Sequence, residues 1–182
     1  MKPWLILGVL IVALVTMGSS CINESFIIPV NVPLQKDFTT NPGGSWNDEV
    51  TFLIADEIPE SLGDEVVGAR LIDIEVWAEN PPAEAVVQNG VVYVNGIVAA
   101  TFSGTGAQFA APVSLLNPGV PALIVKNQAG IDEIERVLNQ FITDPENTSV
   151  TLRSTGTVVP AVASQKVWVK ITLQTDLEGS NS

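Results

Sequence analysis

From Arg70 to Asn80 apolar and polar residues alternate, with Ile72, Ile74, Val76 and Ala78 on one side and Asp73, Glu75, Trp77 and Glu79 on the other. A side-chain period of two belongs to a strand with one face in a core and the other toward water. The same period returns in Phe26, Ile28, Val30, Val32 and Leu34, in Val50, Phe52 and Ile54, and in Val167, Val169, Ile171 and Leu173. Further strands are expected at Val91 to Val94, Ile97 to Phe102 and Ser149 to Val159. A chain made of such segments must pair them and cover their apolar faces, which calls for two packed sheets.

The punctuation between the runs agrees. Asn95-Gly96 separates two strands by two residues that tolerate positive φ, the signature of a hairpin turn, and Asn89-Gly90 is a second turn of that kind. Asn80-Pro81-Pro82 ends one strand, because proline restricts the residue before it and offers no ladder donor. Pro29 and Pro33 fall on one face of the first strand and place it at a sheet edge or beside a bulge. Thr39 to Trp46 reads as a loop, and Asp56 to Glu65 as an acidic turn.

One segment changes period. Ile131, Ile134, Val137, Leu138, Phe141 and Ile142 form a helical stripe over 131–143, with Asp132, Glu133 and Glu135 expected in the first turn and Asp144-Pro145 as the stop. The expected fold class is therefore mainly β: an antiparallel two-sheet β-sandwich with one packed α-helix.

The N-terminus carries a different message. Met1 and Lys2 precede an apolar stretch from Trp4 to Met17, followed by Gly18, Ser19, Ser20 and Cys21. A positive start, a short apolar core and small residues make a secretory signal, and a run of about fourteen residues is short for a permanent span, which takes about 20. The segment ending at Cys21, the single cysteine, resembles the lipobox of bacterial lipoproteins, with Ser19 and Ser20 at positions the family accepts and Gly18 where it prefers leucine. That resemblance implies lipidation of Cys21, which becomes the first mature residue. Ordinary cleavage after a small residue and an uncleaved anchor are the alternatives.

The organisation that follows is a signal peptide at 1–20, a lipidated tether at 21–25, a sandwich domain at 26–176 and a disordered tail at 177–182. The membrane, reached through Cys21, is the first expected partner, and an envelope protein or glycan the second. Ile22 is not the aspartate that retains some lipoproteins at the inner membrane, which favours the outer membrane, with secretion as the alternative. The formal net charge of −12, with 8 basic and 20 acidic residues, argues against nucleic acid as a partner.

Composition narrows the chemistry. The absence of histidine removes Ser-His-Asp and Cys-His catalysis and imidazole metal sites. No phosphate-cradling glycine motif is present, and no cofactor is expected. Carboxylates remain, so a carboxylate-based hydrolase using residues such as Asp73 and Glu75 is the enzyme alternative to a non-catalytic domain. Asp56, Glu57 and Glu60 are the candidate calcium ligands, without the regular acidic ladder of a calcium loop. Trp77 and Trp168 both fall on polar strand faces, so either the helix or a loop covers them or they form a binding surface for a sugar ring or a partner.

A second resemblance covers about residues 66 to 176. A strand ending in Asn80-Pro81, a hairpin near Asn95-Gly96, a helix at Ile131 to Phe141 and two closing strands are similar to the late-embryogenesis-abundant type 2, or water-stress (WHy), sandwich. It implies a stress-protective role. The expectation for function is a membrane-anchored cell-envelope lipoprotein with a structural or binding domain, a calcium- or carbohydrate-binding adhesion module and a stress-protective protein being the alternatives.

Overall fold

The computed structural model describes residues 26–58, 65–117, 119 and 124–179. Cys21 and Glu60 lie outside the described residues. Strands β1 (Phe26–Thr39), β2 (Ser45–Leu53), β3 (Glu65–Ala78), β4 (Val86–Val94) and β5 (Ile97–Thr105) come first, followed by the short β6 (Val113–Ser114) and β7 (Ile124–Lys126). Helix α1 (Gln128–Thr143) and strands β8 (Ser149–Val159) and β9 (Lys166–Gly179) complete the order. They form two antiparallel sheets, β1-β9-β3-β6 and β2-β8-β4-β5-β7. The mainly β sandwich with one helix is the fold that the alternation requires.

The inner face of β9 is Val167, Val169, Ile171 and Leu173, all buried, as the period demands. Facing residues Val32, Leu34 and Phe38 of β1 and Ile74, Val76 and Ala78 of β3 are buried beside them. Each of the larger side chains, Ala78 excepted, contributes about 1.5–3 kcal/mol by leaving water, so these rows hold the register. β1 is an edge strand, and its pairing with β9 runs unbroken through Pro29 and Pro33, whose missing donors therefore fall on the open side. In the two-residue turn, Asn95 and Gly96 have φ of 49° and 80°, which an ordinary residue resists and glycine accepts.

Five expectations need correction. Ile72 is exposed, because β3 bulges between Leu71 and Asp73, moving Leu71 to the core side and Ile72 out of it. Asn89-Gly90 is not a turn but an irregular point within β4, where Asn89 takes φ 52° and the pairing to both neighbours shifts register. β2 begins at Ser45, inside the expected loop, and Ile54 starts a short 3₁₀ turn rather than ending the strand, although its side chain is still fully buried. The helix starts at Gln128 under an Asn127 cap whose side chain accepts from the Ala129 N–H at 3.0 Å, so Asp132, Glu133 and Glu135 come after the first turn. Finally, β9 runs on to Gly179 with Leu177 buried, three residues into the expected tail.

The stripe of α1, with Ile134, Val137, Leu138 and Phe141 buried, joins the core between the sheets and packs against β3 and β5. Its first turn meets β5 through Gly130, where a Cβ would lie 2.3 Å from the Ala99 Cα. At its outer side Glu133 accepts from Arg136 (2.7 Å) and from the Asn95 amide (2.8 Å). Asn95 in turn exchanges two hydrogen bonds with the Thr151 backbone. The Arg136 guanidinium holds the Glu133 carboxyl at about 2, against the opposing effect of partial burial and with help from Asn95. Helix, hairpin and β8 are thereby tied at one corner.

Candidate binding surface

In β3 and β9 the buried neighbours Val76 and Ala78, and Val167 and Val169, force Trp77 and Trp168 to the outer face of the four-stranded sheet. The register places the two directly opposite each other. Their rings stack with centroids 5.8 Å apart and planes 6° from parallel. Such a cross-strand aromatic pair adds about 0.5–1.5 kcal/mol beyond the area it buries. Each ring is half-buried, and the helix that could have covered them lies in the core on the other side of the sheet. Sequence alone leaves cover by the helix or a loop beside the binding-surface reading; the α1 stripe is buried in the core instead, and both rings remain partly exposed.

Charge surrounds the pair in registered rows. Trp168 sits between Trp77 and Asp37 of β1, with Lys166 and Lys170 two residues away on either side. Lys170 pairs with Glu75, while Lys166 lies 3.7 Å from Asp37 and 3.9 Å from Glu79 and holds its ammonium 5.8 Å from the Trp168 ring centroid. Asp73 accepts from the Ser114 hydroxyl at 2.7 Å and from the Ile74 N–H at 2.8 Å. Asp73, Glu75 and Glu79 thus share the expected strand face; Asp73 and Glu75 each have a donor or cation of their own, and Glu79 shares Lys166 with Asp37.

Beyond Lys166 the surface dips into a cavity of about 280 Å³ between two turns, each of which carries the chain from one sheet to the other. The β3–β4 turn supplies Glu79 and Asn80, and the β8–β9 turn supplies Val162, Ser164, Gln165 and Lys166. Asn80 and Ser164 take φ of 49° and 60°, a left-handed conformation that costs a non-glycine residue energy and persists where the surroundings impose it. Thr40 imposes it on the second turn. Its N–H donates to the Gln165 carbonyl (2.9 Å), its carbonyl accepts from Ser164 N–H (3.0 Å) and its hydroxyl accepts from Gln165 N–H (2.9 Å). Sequence reading found Asn80 only as a strand terminator and missed Ser164 and Gln165, for which no local signal exists.

Compared with protein-family models, with curated proteins and with solved structures, the chain matches none.

Trp46, unlike Trp77 and Trp168, is a core residue whose indole N–H donates to the buried Ser154 hydroxyl at 3.0 Å. Asp56 and Glu57 are exposed on the 3₁₀ turn after β2. Among the described residues no group of three or more acidic residues is placed to hold a metal ion. A larger apolar cavity of about 400 Å³, lined by Phe109, Pro112, Val113 and Ile124, opens between β6 and β7.

Proposed function

We propose that this chain is a cell-envelope lipoprotein, tethered through lipid on Cys21, whose sandwich is a non-catalytic binding module. Its contact surface is the outer face of the four-stranded sheet around Trp77 and Trp168. The observation that carries the reading is the stacked indole pair, left partly exposed on a strand face whose two lysines are each already paired with carboxylates. Desolvated aromatics within a polar rim are the usual anchors of a binding surface.

Strand β1 supports the geometry of a tethered module. It starts at Phe26, five residues after Cys21, and Trp168 pairs with Asp37 eleven residues further along, about 36 Å at the strand rise of ~3.3 Å per residue. The indoles are therefore at the opposite end of the strand from the tether, a position suited to a partner beyond the anchoring bilayer. Among the described residues no helix is long and apolar enough to cross a membrane.

The test uses Cys21→Ala protein, which cannot be held by lipid, mixed with envelope fragments of the source cell. The module should sediment with the fragments, and Trp168→Ala should release it at least tenfold. Equal retention of the Trp168→Ala variant would rule out this face as the contact surface.

A further inference from the structure

We infer that the cavity between the β3–β4 and β8–β9 turns is a subsite for one neutral pyranose unit of a glycan, with the Trp168–Trp77 pair as the adjoining apolar platform. This rests on the reading of that sheet face as the binding surface. At about 280 Å³ the cavity falls just below the range of ordinary ligand pockets, roughly 300 to 1,000 Å³, and so has room for no more than a single small unit.

The chemistry of its walls selects the ligand class. Gln165 is 6% exposed, and its side-chain nitrogen donates to the carbonyls of Glu79 (2.7 Å) and Lys166 (3.1 Å). Both amide protons are thereby used, which leaves Oε1 as an acceptor only. Asn80 and Ser164 are exposed at the lips, and neither side chain hydrogen-bonds to another described residue. Glu79 adds an acceptor and Lys166 a donor.

This mixture of fixed acceptors and free donors matches hydroxyl groups, each of which both donates and accepts. A phosphate or carboxylate ligand would find one cation, Lys166, already shared between Asp37 and Glu79. A metal ion would meet that same ammonium beside a single carboxylate. A purely apolar ligand would strand the polar wall atoms without partners. A sugar ring also has an apolar C–H face, and Lys166, which borders the cavity and approaches the Trp168 ring, joins the polar recess to the indoles on which that face can rest.

Full-length protein in detergent micelles is titrated with maltohexaose, cellohexaose and chitohexaose, with polygalacturonate as the anionic control, by calorimetry and tryptophan emission. The discriminating variant is Asn80→Gly combined with Ser164→Gly, because glycine keeps both positive φ values while deleting the side chains. At least one neutral hexaose should bind and shift the emission, the double glycine variant should weaken it about tenfold with a melting midpoint no lower than the parent's, and Trp168→Ala should weaken it further. Binding unaffected by the glycine variant, or seen only with polygalacturonate, would overturn the subsite. If no hexaose binds while Trp168→Ala still loses envelope retention, the saccharide inference fails and the binding face stands. If retention is also unchanged, both fall.

Discussion

Gly130 sets two opposing effects against each other, and the structure decides between them. It occupies the first turn of α1, where replacing glycine by alanine ordinarily stabilises a helix by about 1 kcal/mol. Here the added Cβ would lie 2.3 Å from the Ala99 Cα, 2.4 Å from the Val98 carbonyl oxygen and 2.6 Å from the Ala99 nitrogen. All three are backbone atoms of β5, so no side chain can rotate aside, and the helix start must back away by more than 1 Å toward ordinary contact at ~3.5–4.0 Å. That movement lengthens the hydrogen bond from Asn127 N–H to the Ala99 carbonyl, now 2.8 Å, and loosens the packing of Ile134 behind it. Overpacking of this kind costs about 1–3 kcal/mol and the weakened hydrogen bond about 1 kcal/mol more. Net destabilisation by Gly130→Ala should be about 1–3 kcal/mol, read as a lower midpoint at unchanged slope in urea unfolding followed by tryptophan fluorescence. Asn139→Ala, at an exposed position of the same helix, should instead raise stability by about half a kcal/mol from propensity alone. A Gly130→Ala protein as stable as the parent would refute the close helix-to-strand contact.

Three further outcomes follow from particular contacts. Trp46→Phe should cost about 1–3 kcal/mol by leaving the fully buried Ser154 hydroxyl unpaired, and adding Ser154→Ala should return part of that loss in a thermal melt. Because the Glu133 carboxyl is held at about 2, below its ordinary 4.5, its contribution is complete above pH 4.5 and lost as pH falls toward 2. Glu133→Gln should therefore lower stability by about 1 kcal/mol at neutral pH, after screening at the exposed Arg136, and by progressively less as pH falls through about 2. In vesicles containing brominated lipids, with the protein inserted through the proposed lipid on Cys21, indole emission should be unquenched if β1 keeps Trp168 about 36 Å from Phe26 and away from the bilayer, and strong quenching would show the sheet face lying on the bilayer.

Much of this architecture is legible locally. The alternation in β9 and in the second half of β3 names their inner faces, the paired prolines put β1 at an edge, and Asn95-Gly96 places a hairpin. What escapes is decided by pairing over long separations. The bulge that turns Ile72 outward exists only relative to β9, where one extra residue shifts the phase without marking the sequence. The stacking of Trp77 on Trp168 is likewise a matter of register: either strand alone shows a tryptophan on a polar face, and only their alignment makes a platform. Asn80 and Ser164 meet across one cavity because both inter-sheet turns emerge at the same end of the sandwich. The early helix start was hidden because Gln128, Ala129 and Gly130 carry no apolar period, and its signal was the capping Asn127.

The proposed tether at Cys21 is the premise on which the proposed placement of the indoles away from the membrane rests. Intact mass of the native protein purified from membranes, compared with Cys21→Ala, tests it most directly. A mature chain beginning at Cys21 with the added mass of acyl chains, lost in the variant, is the expected result. An unmodified chain, or one that begins elsewhere, would contradict the tether and make the sandwich a freely secreted module.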